Sequence, residues 1–385
     1  MSEIKVNSIK GVGASTAAIT VDNTAGTCTA NITNNLSNRN RVINGSMIIN
    51  QRASSYTATG EEYLLDRFNH RTGSSFTFDT TTTQDSSAPD GFTKSLKITP
   101  DSTQTPTGSH NGMIATLLEA DNLIGFASGT SSAKKFVLSF YAKSASQNNG
   151  HQYSVQLSKL TSGGTYYHQT RSFTVTSSWQ RFTVAFPADT SNNITTGSGE
   201  GIRILWHLAT GSDDIASAVT SWTSGDVNKA VTGQSNFMDN TSNEFYLTGV
   251  QLEASDSDVA TDFEHRSFGQ ELYLCQRYFE FIKFKYYFVT GYYEGGGYPR
   301  IPLQWNVEKR ATPTVTLPSV GTGSGEIQVT NSGGAYDTAS TTLVASHITE
   351  SFCKIHGSGY GGSSGTVCSL YLAGTLSGFK ISAEL

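Results

Sequence analysis

Four cysteines in 385 residues, Cys28, Cys275, Cys353 and Cys368, are too few and too far apart for a disulfide framework, and without a CxxC pair they build no zinc site. They are expected as free thiols packed as small apolar groups. Charge is scarce as well: Asp, Glu, Lys and Arg make up 15% of the chain, against about 25% in ordinary globular proteins. The net charge of -5 offers no broad positive field for phosphates, which argues against nucleic acid as a partner. No stretch approaches the roughly 20 apolar residues of a membrane helix, and the opening MSEIKVNSIKGVG lacks the apolar core a secretory signal needs. The chain is therefore expected to be made soluble in a cytoplasm, with no membrane insertion. Methionine is rare too, 4 residues against 17 Tyr and 20 Phe.

What is present fits short strands and many turns. Gly reaches 38, with Ser, Thr and Asn filling much of the rest, and aromatic and β-branched residues suit a pleated, half-buried surface. An all-β class follows, in two or three units on length alone.

Residues 1–40 are polar, with short Ile/Val alternations (Ile4, Val6; Ile19, Val21) broken by GVGAS, DNTAG and NITNNLSN. Alone, such an arm cannot bury enough apolar surface to offset chain entropy. It is either disordered or folded against copies of itself or a partner, and strand-like alternation favours the second. Residues 41–268 carry repeated strand-length runs, among them KKFVLSFYAKS, HQYSVQLSKL, TRSFTVTSSWQRFTVAFPA, GIRILWHLATG and NEFYLTGVQLEA. Phe136, Leu138 and Phe140 share one face, as do Ile202, Ile204, Trp206 and Leu208, so this region predicts an antiparallel β-sandwich or jelly roll. Leu272, Cys275 and Phe279 recur at helical spacing, predicting a short helix over 269–280. Strands with Gly-rich turns follow, and 281–385 predicts a smaller C-terminal β domain.

Two stretches are more specific. NRNRVINGSMIINQRASS followed by YLLDRF, and FYLTGVQLEASDSDVATDFEHRSFGQELYLCQRYF, together resemble a module of phage tail-fibre and virion appendage proteins of aquatic and marine phages. MSEIKVNSI and KRATPTVT look like text of the same proteins. The resemblance implies a jelly roll akin to carbohydrate-binding modules, a homotrimer, attachment to other phage tail proteins through residues 1–40, a distal C-terminal domain, and a role at the host bacterial surface, where the partner would be a glycan such as lipopolysaccharide or an outer-membrane component. Most of the shared residues read as structural. Asn44-Gly45 suits a turn with positive φ, Phe263, Leu274 and Tyr278 suit a core, and Asp66-Arg67 and Glu264-His265-Arg266 could form ion pairs pinning first strands to last.

Candidate sites come from the alternation. The residues opposite the core sets are Tyr141, Gln152, Gln156, Arg203 and His207, and their aromatic, amide and guanidinium groups are the kinds that meet the apolar face and hydroxyls of a sugar. A solvated or trimer-facing sheet would carry the same residues. Tyr166, Tyr167 and His168 in SGGTYYHQ, and Tyr292, Tyr293 and Tyr298 in YYEGGGY, are expected on loops, where recognition tends to sit. HGSGYGGSSG, from His356 to Gly365, lacks the Lys-Ser/Thr of a phosphate loop and reads as a flexible tip. Asp213, Asp214, Asp256, Asp258 and Asp262 could hold calcium, but their spacing fits no EF-hand loop and solvated turns are the default reading, with the presence of a metal left open. No GxSxG elbow occurs, the histidines pair with no nucleophile from sequence, and no short-period repeat of a parallel β-helix is visible. No catalytic residue and no cofactor is expected. A tail fibre that binds a surface glycan leads, ahead of a structural adaptor that binds other tail proteins and, more remotely, a spike depolymerase.

Overall fold

The computed structural model describes residues 6–10, 12, 18–21, 24, 28–30, 38–225, 227–295, 297–321, 326–331, 336–337 and 343–385. The protein is all-β, with two antiparallel sheets facing each other in a jelly-roll-like sandwich. One sheet has six strands in the order Gln180–Phe186, Lys135–Ser144, Phe245–Ser255, Ser95–Pro100, Thr80–Asp85 and Ser55–Ala58. The other has seven, in the order Thr223–Ser224, Tyr166–Thr174, Gln152–Leu160, Glu200–Thr210, Asn111–Glu119, Phe68–Gly73 and Glu62–Leu65. The chain crosses repeatedly from one sheet to the other, so each strand needs one apolar face, and the period-two pattern supplies it. Phe136, Leu138, Phe140, Ile202, Ile204, Trp206 and Leu208 all lie buried in one core. The Trp206 ring sits 6.4 Å from Phe68 and 5.7 Å, edge to face, from Phe140.

The segment before the first strand is built into this sandwich. Asn44 adopts φ 59° and is fully buried, its amide donating to the carbonyls of Ile49 and Asp66 while its oxygen accepts from the Ile49 N–H. Its neighbour Gly45 is required for a different reason: a Cβ there would lie 2.1 Å from the Val250 carbonyl oxygen. The expected turn is therefore present, with the positive φ on Asn44 and the close approach on Gly45. Glu264 accepts from the N–H groups of Asn38 and Asn40, and Arg266 pairs with Glu271 at 3.4 Å and donates to the Val42 carbonyl, so these two residues do hold the start of the module to its end. Asp66 and Arg67 do not pair. The Asp66 carboxylate accepts from Gln51, and the fully buried Arg67 pairs with Glu384 and lies 3.6 Å above the Tyr278 ring.

The helix runs over Phe268–Gln276, capped by Ser267, whose hydroxyl accepts from the Gln270 N–H at 3.3 Å. It ends earlier than the 269–280 expected, because Phe279 already pairs in register with Ser382 in a strand. Tyr278 is fully buried, while Leu274 and Phe263 are only half-buried. The C-terminal unit is an eight-stranded sheet centred on two strands of 16 residues each, Phe279–Glu294 and Val367–Ser382. Its own core includes Phe284 stacked 5.2 Å from Phe379, with Ile301, Trp305 and Ile355. Residues 356–365 are no free tip. The Gly297 N–H donates to the Gly362 carbonyl at 3.0 Å, the Tyr360 N–H donates to Gly297 at 3.1 Å, and Gly362 packs so closely on the Tyr293 ring that a Cβ would lie 2.1 Å away.

Polar contacts join the two units. Glu119 accepts from Arg277 at 2.6 and 3.0 Å and from the Tyr278 hydroxyl at 2.6 Å, and Arg310 donates to the Ser198 carbonyl at 3.0 Å. Cys275, Cys353 and Cys368 are buried free thiols, as expected; the side chain of Cys28 lies outside the described residues. Of the arm, the strands Ser8–Ile9, Ile19–Val21 and Cys28–Ala30 form a small antiparallel sheet with Ile9 exposed, residues 38–40 belong with the sandwich, and most of the remainder lies outside the described residues. Among the described residues no helix is long and apolar enough to cross a membrane.

Candidate functional site

The alternation that turns Trp206 into the core turns its neighbours outward, and register decides what they meet. On the outer face of the seven-stranded sheet, His207 lies between Ser154 and Met113, Leu205 between Gln156 and Ala115, and Arg203 between Ser158 and Leu117. One half of the face is thus polar and the other apolar. A cleft of about 130 Å³ opens over the polar half, lined by Gln156, Arg203, His207, Tyr166, Arg71 and Lys229 together with Met113 and Leu205. It is below the roughly 300 Å³ at which pockets begin to enclose drug-sized ligands, so it suits one small ring or the end of a larger molecule.

Every cation around the cleft has a carboxylate partner. Arg203 pairs with Glu200 at 2.5 Å, donates to the Tyr166 hydroxyl and stands 4.2 Å over the Tyr166 ring; Arg71 pairs with Glu61 at 3.1 Å, and Lys229 with Asp214 at 3.0 Å. The mouth is rich in charged hydrogen-bonding groups yet close to neutral overall. At the floor, His207 is fully buried, and desolvation, followed by the nearby Lys229 and His168, pushes its pKa down to about 3. The ring is therefore neutral. Its Nε2–H donates to the Gln156 Oε1 at 3.0 Å, a tautomer set by the acceptor it faces. That bond leaves His207 Nδ1 as an acceptor and Gln156 Nε2 as a donor, both buried and neither with a partner among the described residues. A buried polar group left unpaired costs about 1–3 kcal/mol, so a ligand that pairs with both recovers energy the free protein forgoes. A hydroxyl both donates and accepts, and a vicinal diol presents two side by side.

Of the residues picked from sequence, Gln156, Arg203 and His207 come together here. Tyr141 does not join them: it lies on the other sheet, packed 5.3 Å from Phe92, because the core-facing sets of its strand and of Glu200–Thr210 belong to opposite layers of the sandwich. Gln152 lies on the same strand as Gln156 but four residues away, where its amide donates to the Thr232 carbonyl, outside the cleft. Tyr166, Tyr167 and His168 were expected on a loop and lie in the strand Tyr166–Thr174; Tyr166 enters the cleft, and His168 is buried with its Nδ1 3.0 Å from the Gly225 carbonyl. Tyr292 and Tyr293 are likewise in a strand, and Tyr293 is buried in the C-terminal core, while Tyr292 and Tyr298 stay exposed. Among the acids, Asp214 pairs with Lys229, Asp256 with Lys134 and Asp258 with Lys135, and Asp213 and Asp262 are exposed; among the described residues no three His, Cys, Asp or Glu side chains cluster as a metal site.

Arg71, Lys229, Met113 and Glu61 escaped the sequence reading. They come from three other parts of the chain, and only the pairing of Phe68–Gly73 with Asn111–Glu119, Arg71 opposite Met113, brings the first of them to the cleft. For Arg71 a charged residue in a strand was the available signal, and many positions share it; Glu61 and Lys229 lie just before strands and Met113 is apolar.

No protein-family model matches the chain, and no curated protein matches it. The solved structures to which it is similar include a family 11 carbohydrate-binding module of the cellulosomal cellulase Lic26A-Cel5E of Clostridium thermocellum, at 16% identity and a TM-score of 0.28, covering 55% of this chain and 99% of that one. They also include a putative sugar binding protein from Bacteroides thetaiotaomicron, at 10% identity and a TM-score of 0.29, covering 56% of this chain and 100% of that one. A third is the enzymatically active domain of tailspike protein 4 of bacteriophage CBA120, at 13% identity and a TM-score of 0.28, covering 58% of this chain and 23% of that one.

Proposed function

We propose that this chain is a non-enzymatic virion appendage subunit, a homotrimeric tail fibre, that binds a bacterial surface glycan in the cleft on its seven-stranded sheet. The observation that carries the binding site is the buried couple at its floor, where His207 Nδ1 and Gln156 Nε2 present an acceptor and a donor with no partner among the described residues. Above them the Arg203 guanidinium and the Tyr166 hydroxyl offer directional contacts without a net charge that would demand an anionic ligand. The tail-fibre half of the proposal rests on the NRNRVINGSMIINQR and GVQLE…FEHR…LCQRYF text. The exposed Ile9 in the arm's small sheet fits a segment completed by other copies or by other tail proteins. A shallow polar site is weak because hydroxyls must first be desolvated, and three copies per fibre raise adhesion through effective concentration.

Binding of the purified protein to an array of bacterial surface glycans tests this. Wild type should retain a small set of glycans with weak single-site affinity, and Arg203→Gln combined with Tyr166→Phe should weaken retention by about tenfold, the equivalent of one or two lost hydrogen bonds. Retention unchanged in that variant, or none by wild type, would remove the cleft from the account. His207→Ala is a poor probe, because the residue is fully buried and its truncation would lower stability as well as binding.

A further inference from the structure

The apolar half of the same sheet face is occupied by the protein itself. Leu385 packs on Met113, Ala115, Leu117 and Leu205, and two of these, Met113 and Leu205, also line the cleft. The segment is held there by polar contacts along its length. The Ala383 N–H donates to the Tyr278 carbonyl at 2.7 Å, Arg310 donates to the carbonyls of Ala383 and Glu384 at 2.5 Å each, and the Tyr63 hydroxyl donates to the Leu385 carbonyl at 2.8 Å. The Glu384 carboxylate is gripped by Arg52 at 2.5 Å and by the fully buried Arg67. A segment anchored by two guanidinium groups and several backbone contacts is a fixed part of the face, because releasing it would leave Arg67 buried without its counter-charge.

From this geometry we infer that Leu385 is a specificity-determining wall: it ends the cleft at Met113 and Leu205, so the site takes the terminal sugar of a glycan chain or branch and excludes an internal segment. The inference rests on the glycan reading of the cleft. Its physical basis is continuity. Without Leu385 the polar strip of Gln156, Arg203 and His207 would run on into the apolar strip of Ala115 and Leu117, giving a long groove with hydrogen-bonding and ring-stacking halves. Leu385 covers the apolar strip beside the cleft, packed on the Met113 and Leu205 that line it, and the cleft's open volume is about 130 Å³. Chain-end recognition also fits the Gln156–His207 couple, since a non-reducing terminal ring carries one more free hydroxyl than an internal one, beside those both share.

The test is titration calorimetry of the full chain with methyl hexopyranosides, and with linear tetrasaccharides ending in the same ring, chosen from the residues present in array-retained glycans. Wild type should bind a methyl hexoside and the matching tetrasaccharide within about twofold, since one ring is seated in each. Leu385→Ala should tighten the tetrasaccharide by about fivefold or more and leave the methyl hexoside unchanged, the gain expected of one further seated ring. Leu385→Trp, which keeps the wall and enlarges it, should leave the tetrasaccharide no better bound than the methyl hexoside, and thermal melts of both variants should show the fold intact. A wild-type tetrasaccharide preference of about tenfold or more, or a length dependence that Leu385→Ala does not move, would overturn the wall while leaving the glycan site standing. No binding of any sugar by wild type would overturn the glycan reading and the wall with it.

Discussion

His207 carries an energetic weakness at the floor of the cleft. Its imidazole is buried without compensation for a positive charge, so its pKa drops to about 3, below the roughly 6.5 of the unfolded chain. Between those two values the unfolded state takes up a proton that the folded state refuses. The sign follows directly: stability is unaffected above about pH 6.5 and falls as the pH drops from there toward 3, with a steepest slope of about 1.4 kcal/mol per pH unit from this group. His70, also buried and lowered by desolvation, adds to the same limb. Urea unfolding of wild type and His207→Gln from pH 7.5 to 4 should show the difference between the two shrinking as the pH falls, because the variant has no proton to refuse at that position. Parallel pH curves would mean that the ring is charged or exposed, and the neutral acceptor at the floor of the cleft would go with it.

At the scale of elements, the strands owe their places to the two-residue period, and Trp206 is the point where this matters most. Its ring is fully buried between Phe68 and Phe140 and bridges the two sheets, so Trp206→Ala should cost about 3–5 kcal/mol, measurable as a lower denaturant midpoint. The strands around Phe136 and Ile202 were legible in the sequence for the same reason, since alternation is a local property. Which strand neighbours which is not local. Tyr141 and Arg203 look equivalent as outward positions, and only the assignment of their strands to different sheets separates them. Tyr166 and Tyr293 were misplaced on loops because Gly residues beside aromatics read as turns, whereas the turns at Gly164 and Gly295 lie just outside strands that include the tyrosines. Arg67 lies in the turn between two strands with a φ of 70°, and the carboxylate it pins to, Glu384, is 317 residues away, a distance no local pattern reveals.

For the whole molecule, the two β units share a polar junction around Glu119 and Glu384, and the cleft lies on the seven-stranded sheet of the first unit. The arm, with its three short strands, is the segment least able to stand alone. Multi-angle light scattering of the full chain at micromolar concentration should therefore give about three times the 41.3 kDa chain mass, and removal of residues 1–37, which spares the buried Asn40, should lower that mass while leaving the melting of the sandwich in place. A monomer mass for the full chain would refute the trimer. The most direct measurement of the central claim is a crystal structure of the protein with an array-selected glycan. The account predicts a terminal sugar ring over Gln156 and His207, within hydrogen-bond reach of Arg203 and stopped at Leu385. Sugar bound instead against the exposed Tyr292 and Tyr298 of the C-terminal sheet, with the cleft empty, would contradict it.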